Sequence, residues 1–105
     1  MHEWINLTAR HGDTIEKPSV EQMKSVLQDL FSDRDEEHPD CWLQCGSQNG
    51  ELVVLSVFDS GYAIFTRYAD QDMLEELEVR RVPAHDVSTA LALCVSLIGG
   101  HYEEI

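Results

Sequence analysis

An α+β fold of two layers, a mostly antiparallel sheet of about five or six strands covered by two helices, is the class this sequence predicts. Three observations lead there. Two stretches, residues 19–31 and 84–98, carry apolar residues at helical spacing. Between them, residues 41–82 break into short runs that read as strands separated by turn residues. No internal repeat or linker interrupts the 105 residues, so one domain spanning 1–105 is expected.

The opening HEWINLT, His2 to Thr8, alternates as a short strand does, with Ile5 and Leu7 on one face. The following ARHGDTIEK reads as a loop because it holds Gly12, Asp13 and several charges. Pro18 and Ser19 then start a helix. Ser19 and Gln22 stand at capping-box spacing, where each side chain satisfies an orphan amide of the first turn. Val20, Met23, Val26, Leu27, Leu30 and Phe31 share one helical face, and Glu21, Lys24, Gln28 and Asp29 point elsewhere.

Beyond an acidic stretch ended by Pro39, Cys41–Cys45 can pair with Leu52–Phe58 across Asn49-Gly50, a dipeptide suited to left-handed turn positions. Asp59-Ser60-Gly61 turns the chain again into Tyr62–Tyr68. A charged loop, Ala69 to Asp72, leads to LEELEVRRV. Strict alternation there sends Leu77 and Val79 one way and Glu76, Glu78 and Arg80 the other, with the two glutamates about 7 Å apart on a wet face. Pro83 precedes a second helix over Ala84–Ile98. Its main stripe is Val87, Ala90, Leu91, Cys94, Val95 and Ile98, widened by Leu93 and Leu97 and ended by Gly99-Gly100. The tail HYEEI is expected to add a short final strand.

Twenty acids against seven bases leave a net charge of −13. Nucleic acid and anionic membrane surfaces would repel such a chain, whereas its long-range field attracts a basic protein. No apolar run approaches the ~20 residues a bilayer span needs, and the N-terminus lacks a secretory pattern, so cytoplasmic residence is expected. Three cysteines, an odd count, argue against a secreted disulfide framework, and Cys94 reads as a small buried hydrophobe.

The decapeptide DRDEEHPDCW, residues 33–42, raises the question of chemistry most sharply. His38, Cys41 and Cys45 resemble zinc ligands in spacing, but no second knuckle follows, and on a strand the two cysteines lie about 13 Å apart. Asp33, Asp35 and Glu37 begin like a calcium loop, yet position six is His38 and position twelve is Gln44. There is no nucleophile elbow and no glycine-rich phosphate loop, and His2, His11, His38, His85 and His101 are scattered. A chain this small also leaves little room for a pocket of ~300 Å³ or more. The expectation is a non-catalytic chain with no metal and no cofactor.

The acids are better explained by where they fall. Asp33, Asp35, Glu36, Glu37 and Asp40 form one cluster, and Asp70, Asp72, Glu75, Glu76 and Glu78 form another. Together residues 33–40 and 70–78 carry −9 of the −13, the pattern of a docking surface for lysines and arginines. Charge sets on-rate and register, and tight holding needs an apolar or aromatic anchor, for which Trp42, Tyr62 and Tyr68 are candidates.

Several segments resemble small bacterial immunity proteins, the inhibitors of polymorphic and contact-dependent toxins, and in particular the first-described immunity-protein family. They are Lys17-Pro18-Ser19 before a helix, Asp40-Cys41-Trp42-Leu43 entering a strand, Gly50-Glu51-Leu52-Val53-Val54, Ser60-Gly61-Tyr62-Ala63-Ile64-Phe65, and Arg81-Val82-Pro83-Ala84. The resemblance covers most of residues 17–105. It implies a cytoplasmic, non-catalytic protein that binds one cognate toxin domain and blocks its active site or substrate path. The charge, independently, favours a basic toxin of the kind that acts on nucleic acid. The rival expectation is a small acidic adaptor or subunit that binds a basic protein unrelated to any toxin.

Overall fold

The computed structural model describes residues 2–47 and 50–105. Six strands, β1 (His2–Thr8), β2 (Thr14–Glu16), β3 (Asp40–Ser47), β4 (Leu52–Phe58), β5 (Tyr62–Tyr68) and β6 (Glu76–Pro83), form one antiparallel sheet in the order β2-β1-β3-β4-β5-β6. Two helices, α1 (Val20–Ser32) and α2 (Val87–Ile98), complete the two-layer α+β architecture. Strand alternation decides which face they cover. Leu7, Cys41, Leu43, Cys45, Val53, Leu55, Val57, Ala63 and Phe65 form one buried cluster with Met23, Leu27 and Leu30 of α1 and Ala90, Cys94 and Leu97 of α2. Neither helix is long and apolar enough to cross a membrane.

The capping box at α1 is present in both directions: Ser19 Oγ accepts from the Gln22 N–H at 3.1 Å, and Gln22 Oε1 accepts from the Ser19 N–H at 2.9 Å. The turn at Asp59-Ser60-Gly61 also forms as the sequence predicts, with Gly61 at φ 105°, a conformation that needs no Cβ. Asn49 of the expected Asn49-Gly50 turn lies outside the described residues, and Gly50 itself has φ 93°.

Four expectations need correction. Thr14–Glu16, read as loop, is β2: three residues pair Leu7 with Ile15 and Thr8 with Thr14, too short a run to show a period. The second helix begins at Val87 instead of Ala84, because the Ala84 N–H donates to the Gly61 carbonyl at 3.0 Å and Asp86 caps the helix by accepting from the Thr89 N–H at 2.8 Å. The C-terminal tail is a turn of 3₁₀ helix, Tyr102–Glu104, because Arg80 donates to the carbonyls of Tyr102 (2.7 Å) and Ile105 (2.9 Å) and folds the segment back beside Phe65.

The fourth correction bears on function. Arg67 faces Glu78 across β5–β6, but the next residue, Tyr68, faces Glu76, so Leu77 is an extra residue in a β-bulge. The bulge breaks the alternation on which a shared glutamate face depended. Glu76 lies on the open face with Tyr68. Glu78 lies on the helix-covered face, ion-paired to Arg67 (3.8 Å) and Arg80 (2.5 Å). The exposed positions of β6 include Leu77 and Val79 as well as Glu76, Arg81 and Pro83.

Candidate functional site

The strand register sorts the nominated residues into two groups at opposite ends of the sheet. Across one end of the open face, Asp40 stands opposite Phe58, Phe58 opposite Tyr62, and Tyr62 opposite Pro83. Across the other end run Gly46, Leu52, Tyr68 and Glu76. Six residues of strand separate the rows, about 20 Å. Asp33, Asp35, Glu36, Glu37, Asp40 and Tyr62 therefore belong to the first end, and Asp70, Asp72, Glu75, Glu76, Glu78 and Tyr68 to the second. Trp42 is half-buried on the open face between Thr8 and Ser56, two residues in from the first end.

At the first end the acidic loop is clamped. Arg10 is buried and caps the C-terminus of α1: its Nη1 donates to the carbonyls of Asp29 (3.1 Å), Leu30 (3.0 Å) and Asp33 (2.8 Å). Its Nε and Nη2 both donate to the His38 carbonyl, at 3.1 and 2.9 Å, and Nη2 meets Asp59 Oδ2 at 3.2 Å. The same Asp59 oxygen accepts from the Asp35 N–H at 3.0 Å, and the Asp59 N–H donates to the Pro39 carbonyl at 2.8 Å. One guanidinium and one carboxylate thus tie a helix end, the acidic loop and the β4–β5 turn together. The side chains of Asp33, Glu36 and Glu37 are left exposed.

Two grooves open beside this clamp. One, of about 350 Å³, is walled by Asp35, Glu36 and Arg34 and floored by Phe58 and Tyr62. The second, of about 430 Å³, runs on past Tyr62 to Arg81, Pro83 and His85. Both are open to solvent, and both exceed the volume expected of so small a chain. Tyr62 divides them, stacked on Phe58 with centroids 4.6 Å apart and planes at 10°, while the Arg81 guanidinium lies 4.0 Å over its other face. A rigid aromatic held this way loses little entropy on binding.

Local environment sets two carboxyls of this end apart. The Glu37 N–H, donating to Asp35 Oδ1 at 2.9 Å, holds the Asp35 carboxyl below its ordinary range. Burial pushes Asp40 up, with Asp59 adding to the effect. Burial likewise pushes the thiols of Cys41, Cys45 and Cys94 up to about 12, so all three remain neutral thiols in the core. Among the described residues no group of three or more His, Cys, Asp or Glu side chains is disposed to hold a metal ion. His38 packs edge-on against His11, with centroids 4.9 Å apart.

Sequence reasoning missed Arg10, Phe58 and Arg81. The partners of Arg10 lie 19 to 49 residues away, so no local pattern marks it. Phe58 ends an apolar run and reads as core, and only the register shows it stacked on Tyr62 on the uncovered face. Comparison with family models, with curated proteins and with solved structures gives no match.

Proposed function

We propose that this protein is an immunity-type inhibitor. It would bind a cognate, cationic toxin domain in the cytoplasm and cover that domain's active site or nucleic-acid-binding surface, with no chemistry of its own. The observation that supports the reading most is unspent charge beside a preorganised aromatic. Of the ten nominated carboxylates, only Glu78 takes part in an ion pair among the described residues. The loop that carries four of them is held by its backbone, which leaves Asp33, Glu36 and Glu37 exposed, with Glu36 lining the groove of the Phe58–Tyr62 stack. A surface of this kind accelerates encounter with a cationic partner and competes for the lysines and arginines that hold phosphates.

The test is co-expression with the toxin encoded beside this gene, followed by association kinetics. Asp35→Lys with Glu36→Lys is expected to lower the association rate constant on the order of tenfold at low salt and to flatten its salt dependence. An unchanged rate and salt slope would remove this end from the interface. A wild-type chain that ignores the toxin but binds a basic host protein would establish the adaptor reading.

A further inference from the structure

The second end of the sheet holds an exposed apolar cluster that the charge argument does not use. Among the described residues six large hydrophobic side chains are exposed, and four of them, Met73, Leu74, Leu77 and Val79, fall within seven residues of the β5–β6 hairpin. Leu74 is 83 % exposed. Isolated surface leucines need no explanation, but four together on one projecting hairpin do.

The hairpin is also shaped in advance. The Ala69 N–H donates to the Glu75 carbonyl at 2.9 Å and closes the loop at its base. Inside it, Asp70 Oδ1 accepts from the N–H groups of Asp72 (2.9 Å) and Leu74 (3.3 Å). Met73 is held at φ 60°, a conformation uncommon outside glycine and asparagine. The bulge at Leu77 turns a second apolar side chain outward beside the tip. Interleaved with them in the same largely exposed stretch are Asp70, Asp72, Glu75 and Glu76, with no ion pair among the described residues.

An apolar centre with a charged rim is the anatomy of a protein interface, and the sign of the rim selects the partner. A second copy of this chain would bring the same four carboxylates against one another, and anionic lipid would meet the same repulsion. We infer that the β5–β6 hairpin is the anchor of the complex: Leu74, with Met73, Leu77 and Val79, enters an apolar pocket rimmed by lysine or arginine on the cationic partner. This rests on the inhibitor reading above and assigns the tight-holding role to the hairpin in place of Trp42, Tyr62 or Tyr68.

The probe is the purified catalytic domain of the toxin encoded beside this gene, immobilised for binding kinetics with the full chain. Leu74→Ser, and Leu74→Ser with Leu77→Ser, are expected to raise the dissociation rate constant on the order of tenfold or more, with association and its salt dependence nearly unchanged. Leu74→Met is expected to keep slow dissociation. Glu75→Lys with Glu76→Lys is expected to act on association instead. Because Leu74 is exposed, the serine variant should unfold at the wild-type midpoint. Unchanged dissociation of the serine variants from a domain that the wild type still binds tightly would overturn the anchor and leave the inhibitor reading standing. A toxin domain that does not bind the wild type would remove both. A wild-type dimer in light scattering that Leu74→Ser dissolves would overturn the proposal in favour of self-association.

Discussion

The two acid-rich segments each carry five carboxylates, and the fold treats them in opposite ways. At the β4–β5 end the loop is anchored by the buried Arg10–Asp59 pair, which holds the backbone of Asp33, Asp35 and His38, and Asp35 and Glu36 line a groove with the stacked aromatics. At the β5–β6 end the loop is shaped mainly by its own hydrogen bonds, with one long-range contact from Gln71 Nε2 to the Ser47 carbonyl (3.4 Å). It carries exposed apolar side chains among its acids, and one of its glutamates is turned inward to two arginines. Like composition therefore does not mean like surface. What distinguishes the ends is whether a buried ion pair grips the loop backbone or mainly local hydrogen bonds shape it.

The largest test of that difference is Arg10→Met. It removes six hydrogen bonds and leaves Asp59 buried without its partner, so a loss of about 3–5 kcal/mol is expected in denaturant unfolding. The double variant Arg10→Met with Asp59→Leu should recover part of that loss. Comparable damage from Leu74→Ser at the hairpin would break the contrast between the ends.

A smaller effect separates the acids within the hairpin. Glu78→Gln is expected to cost about 0.5–1 kcal/mol, since its arginine partners are about one-third exposed, whereas Glu76→Gln should change stability by under about 0.5 kcal/mol. A double-mutant cycle with Arg67→Gln would detect coupling to Glu78 and none to Glu76. Equal coupling would mean that the two glutamates share a face after all.

The smallest test compares two carboxyls at the gripped end. The Asp35 pKa is lowered from 3.8, so its ionised form stabilises the fold above 3.8, and that contribution is lost as pH falls through the lower folded value. The Asp40 pKa is raised, so its ionised form costs stability above the raised value, and the cost disappears below 3.8. Asp35→Asn should therefore lower the unfolding midpoint at neutral pH and Asp40→Asn should raise it, with both differences shrinking in acid. Shifts of the same sign would show that burial at Asp40 does not dominate.

Both helices, the strand pairings from Asp40 to Tyr68 and the capping box at Ser19 were legible because each depends on spacing within a few residues. The candidate site was legible only in part. Tyr62 was nominated, but its stacking partners Phe58 and Arg81 come from different strands, and Arg10 reaches groups up to 49 residues away. The parting of Glu76 from Glu78 comes from the bulge at Leu77, which leaves no mark in a run that alternates as regularly as LEELEVRRV. Glu78 faces the helices because it continues the register of Val82 and Arg80 opposite Ala63 and Phe65.

Hydropathy at periods of 2 and 3.6, turn residues and net charge decided by themselves that the chain folds as a sheet under two helices and that its surface is strongly negative. The sharing of that charge between two ends about 20 Å apart was decided by antiparallel pairing, which sends successive loops to opposite ends of the strands. So was the choice of which acids remain free and which side chains lie bare among them. Those outcomes depend on register and on contacts between distant segments, quantities to which local spacing is blind.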